Sequence, residues 1–135
     1  MSNANIQDAL ELALNSLTPA ILTAWPNVSI EPGSLELYQR ADTLFAEPSN
    51  PTIGDGFYRE LGYMQVTLYY PVQAGSRAAV TRAEMIRTLF KRGSTFTNGG
   101  IDVKIPRKPS LSLGNPQDGR YTVIVKIPFY ADIFE

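Results

Sequence analysis

The segment from Arg59 to Gly93 restricts the possible folds more than any other, because the longest alternating run and the best helical run are joined there by one short turn. Between Tyr58 and Tyr70 the even positions Met64, Val66, Leu68 and Tyr70 are apolar, while Gln65 and Thr67 interrupt the odd ones. A period of two residues is that of a β-strand with one drier and one wetter face. Pro71 ends this strand, and Val72 to Gly75 turn the chain. From Ser76, the residues Ala79, Ala83, Ile86 and Phe90 recur at spacings of four, three and four, which places them along one side of a helix. Arg77, Arg82, Glu84, Arg87 and Lys91 are assigned to the other side. Two helix starts are open: Ser76 as an N-cap, or Thr81 with Glu84, which have the capping-box spacing. Gly93, after Lys91 and Arg92, suits a left-handed C-terminal cap.

The flanking sequence supplies what this unit must pack against. From Asn5 to Leu17, the residues Ile6, Leu10, Leu14 and Leu17, widened by Ala9 and Ala13, form the stripe of an amphipathic helix that docks on the sheet. Thr18 before Pro19 stops it and caps a short second helix through Ile21 to Ala24, closed by Trp25 and Pro26. Trp25 is expected to cover the core beside the first helix. Leu35 to Ala46 reads as a strand with imperfect alternation. Glu47 to Phe57 is a turn-rich loop with Ile53 as its apolar anchor; loops this long are often binding segments. After Gly99 and Gly100, Ile101, Val103 and Ile105 make a short strand ended by Pro106 and Pro109, and Leu111 and Leu113 can pair briefly at an edge. The last strand runs from Arg120 to about Tyr130, with Tyr121, Val123, Val125, Ile127 and Phe129 on one face. The expected fold is α+β: one domain over residues 1–135, a mostly antiparallel (mixed) sheet of about four to five strands, packed by an N-terminal helix and a central helix.

Composition narrows the chemistry. With no histidine and no cysteine, the commonest general base, the commonest metal ligand, thiolate metal sites and disulfides are all removed. Asp42, Glu47 and Asp55 flank the long loop but lack calcium-loop spacing, so no metal site and no cofactor is assigned, and a hydrolase built on these carboxylates ranks last. Gly99 and Gly100 do not connect a strand to a helix as a phosphate-binding loop does. No apolar run is long enough for a membrane span, and the polar start of the chain differs from a secretory signal, which predicts intracellular synthesis.

Surface residues point to contact instead of catalysis. Arg77, Arg82, Arg87, Lys91 and Arg92 cluster along the helix, Arg107 and Lys108 add a second basic point, and Tyr63, Tyr69 and Tyr130 are placed on the outer sheet face. Aromatics beside arginines fit either a protein interface or a nucleic-acid stacking platform, and a net charge of −1 favours the interface. The interface candidates are Ile53, Asp55 and Phe57 at the loop, Tyr63 and Tyr69 on the strand, and Arg77, Arg82, Arg87, Arg107 and Lys108.

In order, the chain runs from an N-terminal helix through a strand and a glycine and proline loop to the strand ending Leu68, Tyr69, Tyr70, Pro71. The helix ending Phe90, Lys91, Arg92, Gly93 follows, then Gly99, Gly100, Ile101 and a C-terminal strand ending Pro128, Phe129, Tyr130. This arrangement resembles the tail terminator-like proteins of long-tailed bacteriophages, most clearly from Gly62 to Tyr130. The resemblance implies a small subunit without catalytic residues. It would form a homo-oligomeric ring, generally a hexamer, at the head-proximal end of the tail tube, contacting the tail tube protein and the head-tail connector protein. The genome would meet it only in passing through the ring. Alternatives are a head-tail completion protein of the same neck, and a nucleic-acid-binding α+β module using the Arg77 to Arg92 face.

Overall fold

The computed structural model describes residues 2–17, 22–25, 38–46, 57–71, 76–113 and 120–134. In order these form α1 (Ser2–Asn15), β1 (Leu22–Ala24), β2 (Tyr38–Phe45), β3 (Phe57–Pro71), α2 (Ser76–Leu89), β4 (Thr95–Asn98), β5 (Ile101–Lys104), β6 (Ser110–Leu113) and β7 (Arg120–Phe134). The seven described strands make one sheet in the order β1-β2-β3-β7-β5-β4, with β6 alongside β7. Only β1 and β2 run parallel among these pairs, so the sheet is mixed and mostly antiparallel, as expected, though with more strands.

The sheet is organised on the pairing of β3 with β7, which holds an unbroken register from Phe57 opposite Phe134 to Pro71 opposite Arg120. Because side chains alternate, one register places Met64, Val66, Leu68 and Tyr70 on the same face as Val123, Val125, Ile127, Phe129 and Ala131, and all nine are buried. Both helices cover this face. α1 contributes Ile6, Leu10 and Leu14 and packs on β4 and β5; α2 contributes Ala79, Ala83 and Ile86, followed at its end by Phe90, and packs on β3 and β7. Phe90 meets Phe96 of β4 with ring centres 5.0 Å apart, joining the end of α2 to the far edge of the sheet.

Several expectations change. The predicted short helix at Ile21 to Ala24 is the edge strand β1, whose Leu22, Thr23 and Ala24 pair with Tyr38, Gln39 and Arg40. Local sequence favoured a capped turn there, but a ready strand edge satisfies the backbone equally well, and Gln39 Nε2 donates to Thr23 Oγ1 across the pair at 3.0 Å. α2 starts at Ser76, so Thr81 and Glu84 lie inside the helix and do not cap it. Arg82 is on the inner side of α2, only 4% exposed, and not on the outer side with Arg77. Its position three residues after Ala79 and four before Ile86 carries it inward. Burial lowers its pKa, and Tyr70 is close enough to act on it electrostatically.

The strand after Gly99 and Gly100 is the second arm of a hairpin whose first arm, β4, was not anticipated. Gly99 and Gly100 have φ of +59° and +80° and form the two-residue loop between Asn98 and Ile101, the backbone that favours glycine in tight hairpins. Gly93 has φ of +90°, and its N–H donates to the Ile105 carbonyl at 2.9 Å, which anchors the end of α2 to the end of the hairpin. The expected edge pairing of Leu111 and Leu113 is present as β6, opposite Val125 and Val123. Trp25 is half-buried against the core and lies beside Asp8, Glu11, Leu12 and Asn15 of α1. The loop from Glu47 to Gly56 lies outside the described residues.

Candidate subunit interface

Residues that alternate with the core positions face the opposite side of the sheet, where no described helix packs. The β2–β3 register sets Tyr38 directly opposite Tyr69, and their rings stack with centres 4.5 Å apart and planes 11° apart. Further along, Lys126 Nζ sits 5.4 Å from the Tyr63 ring centre, and the Arg59 guanidinium lies 4.3 Å over Tyr130. Arg59 also grips its register partner Asp132 with both prongs, Nε donating to Oδ1 at 2.7 Å and Nη2 to Oδ2 at 3.1 Å. These bonds raise the Arg59 pKa, so the cation persists at any physiological pH. Burial, with Tyr38 adding to it, also raises the Tyr69 hydroxyl pKa and keeps that ring neutral. The face is therefore a row of aromatic rings fixed by cross-strand partners, which can be covered with little further loss of side-chain freedom.

The second surface is a basic groove of about 600 Å³ between the C-terminal half of α2 and residues 106–108. Arg87, Lys91 and Arg92 rise from the helix side, Arg107 and Lys108 from the other, and Glu84 is the acid among them. Arg87 also holds the groove together: its Nε donates to the Pro109 carbonyl at 3.0 Å, and its Nη1 pairs with Glu84 Oε1 at 2.7 Å. Arg107 and Lys108 reach a second hollow of about 230 Å³ together with Tyr63, Lys126 and Pro128. The groove and the aromatic face thus meet along one rim.

The sequence-derived candidates sort by position. Arg87, Arg107 and Lys108 come together in the groove, and Tyr63 joins them at its rim. Tyr69 lies on the aromatic face, and Arg77 is exposed near the start of α2. Arg82 is withdrawn into the interior and leaves the set of exposed candidates. Phe57 opens β3 opposite Phe134, and Ile53 and Asp55 lie outside the described residues. Of the suggested loop carboxylates, Asp42 sits in β2 opposite Gln65, while Glu47 and Asp55 are outside the described residues. Sequence reasoning did not single out Arg59, Tyr38, Lys126 or Asp132. Strand alternation marks their faces, but only the register brings them beside their partners.

The two surfaces offer cations, rings and one bidentate ion pair, a set suited to holding another macromolecule. Comparison with known proteins agrees: the profile of the family described as phage tail terminator protein matches residues 5–129. The chain belongs to the phage tail terminator family. No curated protein matches it. Three chains among the solved structures match, one of them with a TM-score of 0.74 and 28% identity, covering 99% of this chain and 94% of that one. As a member of the tail terminator family the chain has a structural role in a phage tail, in association with other tail proteins. No helix among the described residues is long and apolar enough to cross a membrane.

Proposed function

We propose that six copies of this chain form a ring that caps the head-proximal end of the tail tube, stops its polymerisation and offers the surface to which the head connector joins. The observation that carries this reading is the family match across residues 5–129. The two contact surfaces support it, because a ring subunit that also touches tube and connector needs several distinct faces on one small body. The aromatic row and the basic groove meet at Tyr63, Arg107 and Lys108, so one rim can serve two neighbours at once. Arg77 on α2 and Phe57 at the start of β3 are proposed as further contact positions, and Ile53 and Asp55 as contacts from the preceding loop. In this reading the protein resides in the virion at the head-proximal end of the tail, having assembled in the host cytoplasm, and DNA passes through the ring without being held there.

The test is assembly. Purified protein, alone and mixed with cognate tail tube, is followed by light scattering and negative-stain microscopy. Six-fold rings, or tubes of fixed length capped at one end, are the expected result. A chain that stays monomeric and leaves tube growth unchanged refutes the proposal. Joining to heads after capping separates termination from a completion role elsewhere in the neck.

A further inference from the structure

The near-neutral total charge conceals a division along the chain. Residues 1–56 carry seven acids and one base, Arg40, for a net charge of −6, whereas residues 57–135 carry six acids and eleven bases, for a net charge of +5. The basic excess has a focus, since five cations and one acid line the groove beside α2. The acidic excess has a described surface on α1. With Ile6, Leu10 and Leu14 facing the core, the opposite ridge of that helix presents Asp8 and Leu12, flanked by half-buried Glu11. Leu12 is 62% exposed, one of three exposed large apolar side chains among the described residues, and it stands on the helix next to Asp8 and Glu11, whereas the other two, Leu44 and Leu113, belong to strands.

We propose that the basic groove receives this acidic α1 ridge from a neighbouring copy of the chain. The charges are complementary, and Leu12 has a counterpart in Pro106 and the aliphatic stems of Lys91, Arg107 and Lys108. The ridge cannot fold onto the groove of its own subunit, because the buried side of α1 is fixed on β4 and β5. Groove and ridge are different patches, so the contact is heterologous and propagates head to tail until it closes, which is how a ring is built. The inference rests on the ring reading above and names the surfaces that would make it. A free polyanion such as duplex DNA would meet the same cations, but it brings no aliphatic side chain like Leu12 to set against Pro106 and the aliphatic stems of the groove.

Two charge-reversed variants test this: Lys91→Glu with Arg107→Glu in the groove, and Asp8→Lys with Glu11→Lys on the ridge. Arg87 is left intact because it holds the groove wall. Each variant alone is expected to associate roughly a hundredfold more weakly than the parent chain. Mixed in equal amounts they should recover assembly, since each reversed groove then meets a reversed ridge, and circular dichroism should show both folded. Parent rings should loosen as salt rises from about 0.05 to 0.5 M. Rings that persist in both variants and at high salt overturn this pairing and leave the ring reading standing. Parent protein that never associates overturns both. A groove variant that assembles normally but loses binding to duplex DNA, or to another acidic tail protein, reassigns the groove to that partner.

Discussion

Gly62 gives the most direct check on the packing between β2, β3 and β7. It lies on the inner face of β3, opposite Phe45 on β2 and Phe129 on β7, and those two rings meet edge to face with centres 5.7 Å apart. A methyl group at residue 62 would stand 2.9 Å from Phe129 Cζ and would overlap the Leu44 carbonyl. The ring can move aside, but the carbonyl belongs to the neighbouring strand, so relief requires β2 to shift away from β3. That shift breaks or stretches the bond from Ala46 N–H to the Leu61 carbonyl, 2.8 Å long in the native protein. Overpacking costs about 1–3 kcal/mol and the hydrogen bond about 1 kcal/mol, offset by about 0.4–1 kcal/mol from a stiffer unfolded chain. Gly62→Ala should therefore lose about 2 kcal/mol, which at this length lowers Tm by roughly 6–8 °C. The assay is urea unfolding at fixed protein concentration, so that association does not shift the midpoint, with hydrogen exchange at Ala46 as the local readout. Gly100→Ala is the contrast: nothing lies within 4 Å of an added methyl, yet φ is +80°, so the loss is about 1 kcal/mol of backbone strain without faster exchange at Ala46. A Gly62→Ala protein within about 0.5 kcal/mol of the parent would refute the steric argument.

Three further outcomes follow from the same structure. Phe90→Ala, which empties a fully buried position against Phe96, should cost about 3–5 kcal/mol in denaturant unfolding; a loss below about 1 kcal/mol would mean that the end of α2 is not packed as described. Arg82→Ala should cost about 2 kcal/mol through lost packing of its buried stem, while Arg77→Ala on the exposed side stays within about 0.5 kcal/mol; equal losses would return Arg82 to the surface. Burial raises the Glu11 pKa, outweighing the hydrogen bond from Gln7 Nε2 at 2.8 Å that lowers it. The folded protein thus binds this proton more tightly than the unfolded chain, and the resulting stability is present below the ordinary carboxylate range and lost as pH rises through the folded pKa. Glu11→Gln should accordingly raise the urea midpoint at about pH 7, with the gain shrinking towards about pH 4; a lower midpoint at pH 7 would contradict the burial.

Much of the fold could be read from periodicity because the relevant forces are local. Met64 to Tyr70 and Val123 to Phe129 alternate at the strand period, and Ala79 to Phe90 recur at the helix period, so each segment's buried face was legible. Arg82 is the exception: its charge argues for the outer side of α2, but its spacing from Ala79 and Ile86 puts it on the buried stripe, and position prevails over charge. The arm Thr95 to Asn98 was also legible in part, since Asn98, Gly99 and Gly100 carry a tight-turn signature, but its two polar threonines obscured the strand. For β1 no local signal sufficed: three residues become a strand because β2 leaves an edge beside them.

The interface divides in the same way. Composition and spacing supply the types of residue available, cations along one helix, tyrosines on a strand and no histidine or cysteine, and with them a contact role and the family. Packing of distant segments sets Arg107 and Lys108 facing Lys91 and Arg92 across one groove, stacks Tyr38 on Tyr69, and brings Arg59 to Asp132 from 73 residues away. Periodicity fixes which way a side chain points from its own backbone, whereas its neighbour is set by strand register and by where α2 lies on the sheet, and both depend on burying the whole core at once.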